Sequence, residues 1–249
     1  MYYIVFDLEF NQDFSSFHEQ NTIIERSKYP FEIIQIGAIK LDLGFNTIAV
    51  FNRFVKPTIY SKVNSFITEL TSITTEQLLL EDPFFEVYNA YIEFIGNTES
   101  IFCIWGMSDI KELFKSANYY KLDLKSLPKM FINLQPYVSK HLGISQKKLL
   151  SLQNAIEVLN IPITYSFHNA LYDAYYTAEI FKKIYTSSIQ PKIYDPSYIK
   201  IKPARRKKQI DYDSLIQQFR KMYGRNMTEE EQQIIKLAYK MGKTHQFLK

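Results

Sequence analysis

Apolar positions follow two rhythms along this chain. In the first 57 residues they come in strand-length runs rich in β-branched and aromatic residues. Tyr2–Phe10 is the first, "FEIIQIGAIKLDLG" (Phe31 to Gly44) the second and "TIAVFNRFVKP" (Thr47 to Pro57) the third. "DLGFN" between the last two has turn chemistry, so the three runs predict an antiparallel meander. Residues 11–30 are polar and irregular and predict a loop.

Beyond Pro57 the rhythm changes. Thr75–Leu80 reads as a short helix, and Phe84, Val87, Tyr91 and Ile95 recur at helical spacing behind Pro83. "SIFCIW" is unbroken apolar sequence and predicts a fourth strand buried on both faces. "SDIKELFKSANYY" predicts a helix capped by Ser108, "KMFINLQPYVSKHLG" a fifth strand entering a short helix, and "SLQNAIEVLNI" a helix capped by Ser151. In "HNALYDAYYTAEIFKKIY", Ala170, Ala174, Ala178, Phe181 and Tyr185 share one helical face. Strands first, then strand alternating with helix, predicts an α/β sheet of mixed direction covered by helices.

After Ile189 the texture shifts. "QPKIYDPSYIKIKPARRKKQ" mixes prolines with basic residues and reads as a linker over 189–210. Two short helices follow in 211–249, and Thr228 with Glu231 forms a capping box before "QQIIKLAYKM". Residues 1–188 are then one α/β domain. Charge follows the same division: residues 191–249 hold 14 Lys/Arg against 6 Asp/Glu, whereas 1–190 hold 16 against 20.

Composition narrows the function classes. A hydrophobic fraction of 46% excludes a mainly disordered chain. There is no apolar run long enough for a membrane span, and the apolar start runs into Asp7 without the cleavage site of a secretory signal. The lone cysteine, Cys103, sits in an apolar run and reads as core packing. A cytoplasmic setting is expected.

One feature does not fit plain packing. "YIVFDLEF" places two carboxylates at the end of the first apolar strand. Strand side chains alternate, so Asp7 and Glu9 share a face while Leu8 points the other way. Two acids side by side repel, and burial raises the cost; a divalent cation relieves both. Asp109 stands at the start of the helix after the fourth strand, where α/β sheets build sites. His168 and Asp173 lie five residues apart at the start of the long helix. A solvated strand end, a helix-dipole partner and a surface histidine are the plain readings of these motifs taken singly.

Together and in this order, the motifs resemble the DEDDh family of 3′→5′ exonucleases. The wording "FDLEFN", "EIIQIGAIKLD", "FITELTSIT", "WGMSDIKEL" and "HNALYDAYYTAEI" is closest to the bacterial ERI-1-like branch. The resemblance spans about residues 1–186. Two positions depart from the pattern: Ser72 stands for a usual glycine, and Met107 for an acid often found there.

The resemblance implies a ribonuclease H-like fold with a mixed five-stranded sheet. It also implies metal-dependent 3′→5′ hydrolysis of single-stranded nucleic acid, RNA favoured over DNA, releasing nucleoside 5′-monophosphates. Two Mg²⁺ ions, replaceable by Mn²⁺, are the implied cofactors. Asp7 would bridge them, Glu9 and Asp173 would hold the first and Asp109 the second, with His168 as general base. Backbone groups at Phe10, with Leu70 and Thr71, resemble the family's pocket for the terminal nucleotide. Leu70 is also legible as core, and Trp105, offered as a base-stacking residue, equally as packing. The run Arg205, Arg206, Lys207 and Lys208 is a candidate phosphate-binding patch. The C-terminal extension is alternatively a site for a protein partner. A DNA-directed exonuclease of the same fold and a non-catalytic regulatory protein are the competing classes.

Overall fold

The computed structural model describes residues 1–12, 31–145, 149–197 and 211–243. The chain divides into two compact units at residues 198/199. In the first, β1 (Tyr2–Asn11), β2 (Glu32–Leu41) and β3 (Thr47–Phe54) form the expected antiparallel meander. β4 (Ser100–Ile104) joins β1 in parallel, and β5 (Met130–Asn133) joins β4 in parallel. Of the expected loop, residues 13–30 lie outside the described residues.

The sheet has six strands rather than five, in the order β3-β2-β1-β4-β5-β6. Lys192 and Ile193, which read as linker, form β6 and pair antiparallel with Phe131 and Met130. Two exposed residues carry no apolar alternation, so nothing in their pattern marks a strand.

Alternation along β1 supplies both faces of the sheet. Ile4, Phe6 and Leu8 pack on one side against α3 (Phe84–Ile95) and α4 (Ser108–Tyr119). Tyr3 and Val5 face the other side, against α6 (Leu152–Val158) and α7 (Ala170–Ile184). Asp7 and Glu9 continue the Tyr3–Val5 face, the face that α7 covers. α5 (Leu134–His141) follows β5 directly. Ser151 caps α6, accepting from Asn154 N at 3.2 Å. Helix α4 begins one residue earlier than expected: Met107 is its cap and Ser108 its first residue. On α7, Ala170, Ala174, Ala178 and Phe181 are buried as expected, while Tyr185 ends the helix half in solvent, its ring on Phe45.

Two elements between β3 and α3 complete this unit. α1 (Ser65–Thr71) has no counterpart in the sequence pattern, because Ile67 is its one buried residue. α2 (Thr75–Leu78) is shorter than its predicted range and buries Leu78. Ile34 of β2 joins Ile67 and Leu78 in a small third core.

In the second unit, α8 (Tyr212–Tyr223) ends at Gly224 in a left-handed turn, and α9 (Glu229–Lys243) follows. The capping box closes both ways: Glu231 N donates to Thr228 Oγ1 at 3.2 Å, and Thr228 N to Glu231 Oε2 at 2.8 Å.

Candidate active site

The carboxyl-terminal half of β1 is held from three directions. Asp7 pairs with Gly37 and Glu9 with Gln35 on β2, and the register slips between Glu9 and Phe10. Such bulges bend a strand and re-aim its side chains. Past the slip, Asn11 is fully buried; its amide donates to Lys62 O and its carbonyl accepts from Asn64 N, each at 3.0 Å. Asn64 in turn caps α1, which carries Leu70 and Thr71.

Gly37 admits the next element. A Cβ there would lie 2.1 Å from Leu171 N and 2.4 Å from Ala170 O, so the first turn of α7 rests directly on β2 backbone. Beside it, the fully buried Gln35 accepts from Ala170 N at 3.1 Å and donates to Asn52 at 2.9 Å and Asn169 at 3.3 Å. Asn169 caps α7, accepting from Leu171 N at 3.1 Å. Gln35 is a lone amide in the apolar run "EIIQIGAI", a signal that the pattern contains. Its meaning depends on a partner 134 residues away.

This docking brings Asp173 beside β1. One carboxylate oxygen each of Asp7, Glu9 and Asp173 lie within 4.8 Å of one another, a spacing that suits a shared cation. Glu9 and Asp173 are each 9% exposed. Asp109, buried in the first turn of α4, completes a group of four and acts electrostatically on Asp7 and Glu9. All four carboxyls are pushed up, first by burial. Asp7 rises well above the carboxylate range, with Asp109, Asp173 and Glu9 adding repulsion. Glu9 rises to about 8, Asp109 to about 7 and Asp173 to about 6. The His168 N–H opposes the shift at Asp173, donating to Oδ2 at 3.2 Å. Asp173 Oδ1 is buried with no hydrogen-bond partner among the described residues. Four acids, three of them within ligand-sharing distance and one with an unused buried oxygen, fit divalent cations.

His168 is exposed and stands in the left-handed region at φ 64°, a conformation that the Asp173 contact helps hold. Its loop is tied down nearby: the buried Tyr176 hydroxyl accepts from Thr164 N at 3.0 Å and Tyr165 N at 2.7 Å, and donates to Tyr165 O at 2.6 Å.

The other predicted residues are placed variously. Phe10 is half-buried and its ring packs on Phe31. Leu70 is 39% exposed on α1 and not core. The Thr71 hydroxyl is engaged within its own turn, donating to Ile67 O and accepting from Ile73 N. Trp105 follows β4 and packs partly buried against the core containing Val5 and Cys103. Arg205, Arg206, Lys207 and Lys208 lie outside the described residues. Ser72, where the family pattern has glycine, is the left-handed C-cap of α1 at φ 61°.

A mixed sheet between helical layers, with acids gathered at the ends of parallel strands, defines a ribonuclease H-like nuclease fold. Residues 4–181 match the model of the Exonuclease family, and the chain belongs to that family. The PolC-type DNA polymerase III of Clostridium perfringens (strain 13 / Type A) is 32% identical over 197 residues; the match covers 72% of this chain and 11% of the polymerase. Among solved structures, the nuclease domain of 3′hExo, a DEDDh family member bound to rAMP, superposes with a TM-score of 0.64 at 20% identity, covering 78% of this chain and 96% of that one. Exonuclease I of E. coli with a dA16 oligonucleotide superposes at 0.52 and 16% identity, over 74% of this chain and 40% of that one. These two structural likenesses concern the fold.

Proposed function

We propose that the chain is a metal-dependent exonuclease that removes nucleoside 5′-monophosphates from the 3′ end of single-stranded nucleic acid, RNA favoured. The observation that carries this reading is the convergence of Asp7, Glu9 and Asp173 within 4.8 Å, with Asp109 acting on the first two. Asp7, Glu9 and Asp173 would hold one divalent cation, and Asp7 with Asp109 a second, Mg²⁺ being the proposed ion and Mn²⁺ its substitute. Bound there, such ions would lower the charge on the scissile phosphate and acidify the attacking water.

The chain's own residues do the rest. His168, on its exposed loop, takes the proton from the attacking water. Asp173 holds that loop through the His168 N–H while offering its second oxygen to the site. Phe10, Leu70 and Thr71, on elements joined by the Asn11–Asn64 contact, would seat the terminal nucleotide, and Trp105 a base. The setting proposed is cytoplasmic; among the described residues no helix is long and apolar enough to cross a membrane.

Support for RNA comes from the sequence wording and from the rAMP-bound neighbour. The PolC-type relative favours a second reading, a DNA-directed exonuclease. Labelled single-stranded RNA and DNA of one sequence, incubated with Mg²⁺ or Mn²⁺ and then with chelator, tests both. Metal-dependent shortening from the 3′ end is expected, faster on RNA. Asp7→Ala should lower the rate about 10³-fold or more, roughly 4 kcal/mol of transition-state stabilisation. His168→Ala should lose about 10²–10⁴-fold and still bind Mn²⁺. A folded Asp7→Ala protein that cleaves as well as wild type refutes the metal site, and no cleavage of either polymer supports a regulatory protein.

A further inference from the structure

At the same end of the sheet, two strands from Asp7, lies a groove to which the proposed chemistry assigns no part. β6 pairs with β5 only at Met130 and Phe131, so Ile132 and Asn133, the last residues of β5, border an opening of about 390 Å³. Its walls include Met107, Pro136, Tyr137, Lys140 and Lys192. The register fixes its height: Val5 is level with Cys103, Cys103 with Ile132, and Ile104 with Asn133. Asn133 therefore stands about one residue below the level of Asp7, two strands away, a lateral distance of about 10 Å. Met107, which lines the groove, stands two residues before Asp109 at the start of α4. Asn133 stiffens that wall, accepting from Gly106 N at 3.1 Å while capping α5.

Charge separates this groove from the other surface depressions described. Those are lined by at least one acid each: Glu32 in one, Glu99 in another, Glu93 and Asp123 in a third. This one has Lys140 and Lys192 and no acid. Tyr137 adds an aromatic ring, its hydroxyl donating to Gln190 O at 3.2 Å. Cations beside an aromatic face suit a strand of sugar-phosphates with stacked bases.

We infer that this groove binds the part of the substrate strand just behind the bond being cut, with Lys140 and Lys192 on its phosphates and Tyr137 against a base. The inference rests on the exonuclease reading and adds to it a track for the substrate strand. It predicts that the enzyme distinguishes a polymer from a lone terminal nucleotide by contacts separate from the carboxylates.

The test compares two substrates. The nitrophenyl ester of thymidine or uridine 5′-monophosphate has a terminal nucleotide and nothing behind it; a single-stranded decanucleotide fills the groove. The double variant Lys140→Gln/Lys192→Gln should hydrolyse the ester with wild-type kinetics and show a raised KM on the decanucleotide. In fluorescence anisotropy with Ca²⁺, its plot of log affinity against log salt should be shallower by about 1.4, the loss of two single-strand phosphate contacts. A wild-type slope and KM, or a parallel loss on ester and decanucleotide, overturns the groove. If wild-type protein cleaves neither substrate, the exonuclease reading fails on its own, and the salt slope still decides whether the groove holds nucleic acid.

Discussion

Asp7, Glu9, Asp109 and Asp173 destabilise the metal-free fold in a pH-dependent way. Each has a folded-state pKa above its unfolded value, so the folded chain holds protons that the unfolded chain releases. The penalty is absent at acid pH and grows as pH rises, up to about 6 for Asp173, 7 for Asp109 and 8 for Glu9. Glu9→Gln should therefore raise the melting temperature of metal-free protein more at about pH 8 than at about pH 5. Saturating Mn²⁺ should remove or reverse that gain, because only the wild-type carboxylate binds it. Calorimetry at the two pH values, with and without metal, checks both. Ser72 makes a separate case. It holds a left-handed φ at roughly 1–2 kcal/mol that glycine avoids. After glycine's greater unfolded freedom is subtracted, Ser72→Gly should stabilise by about 0.5–1 kcal/mol in urea titration. At this scale the sequence was informative where charge contradicts pattern: acids in an apolar strand, an aspartate opening a helix. It was silent on Leu70 and Trp105, since an apolar side chain reads alike whether it packs or faces a ligand.

Burial made most elements legible, although β3 and α8, with one buried residue each, were expected from strand-forming residues and helical signals alone. β1, β2 and β4 are nearly all core and α7 buries nine of its fifteen residues, and all four were legible from their apolar patterns. α1 buries one residue and β6 none, and neither was. The junction that assembles the site was harder still. Gly37 reads as an ordinary small residue in a strand, yet its missing Cβ lets α7 touch the sheet. Gly37→Ala should cost about 3 kcal/mol by forcing helix and strand apart. Because Asp173 moves with α7, Mn²⁺ affinity should fall with stability, a pairing that titration calorimetry and denaturation measure together. A variant that loses stability and keeps its metal affinity would show that the acids are positioned independently of this contact.

The whole molecule is electrically divided, with acids in excess through residue 190 and 14 cations against 6 acids beyond it. Polyanion binding by such a chain should be salt-sensitive. Replacing Arg205, Arg206, Lys207 and Lys208 by Gln should flatten the salt slope by up to about 2.8 if all four meet phosphates, read by anisotropy on a single-stranded oligonucleotide. An unchanged slope assigns that stretch no part in holding nucleic acid and leaves a protein partner as its use.

Trp105 is the single tryptophan among 249 residues, half-buried four positions before Asp109. Light absorbed at the red edge of the protein band therefore reports one address, at the rim of the acids. The chain needs no dye attached: emission from this indole should give a stopped-flow signal for arriving cations or nucleotides, so that the order in which they arrive can be measured on unmodified protein.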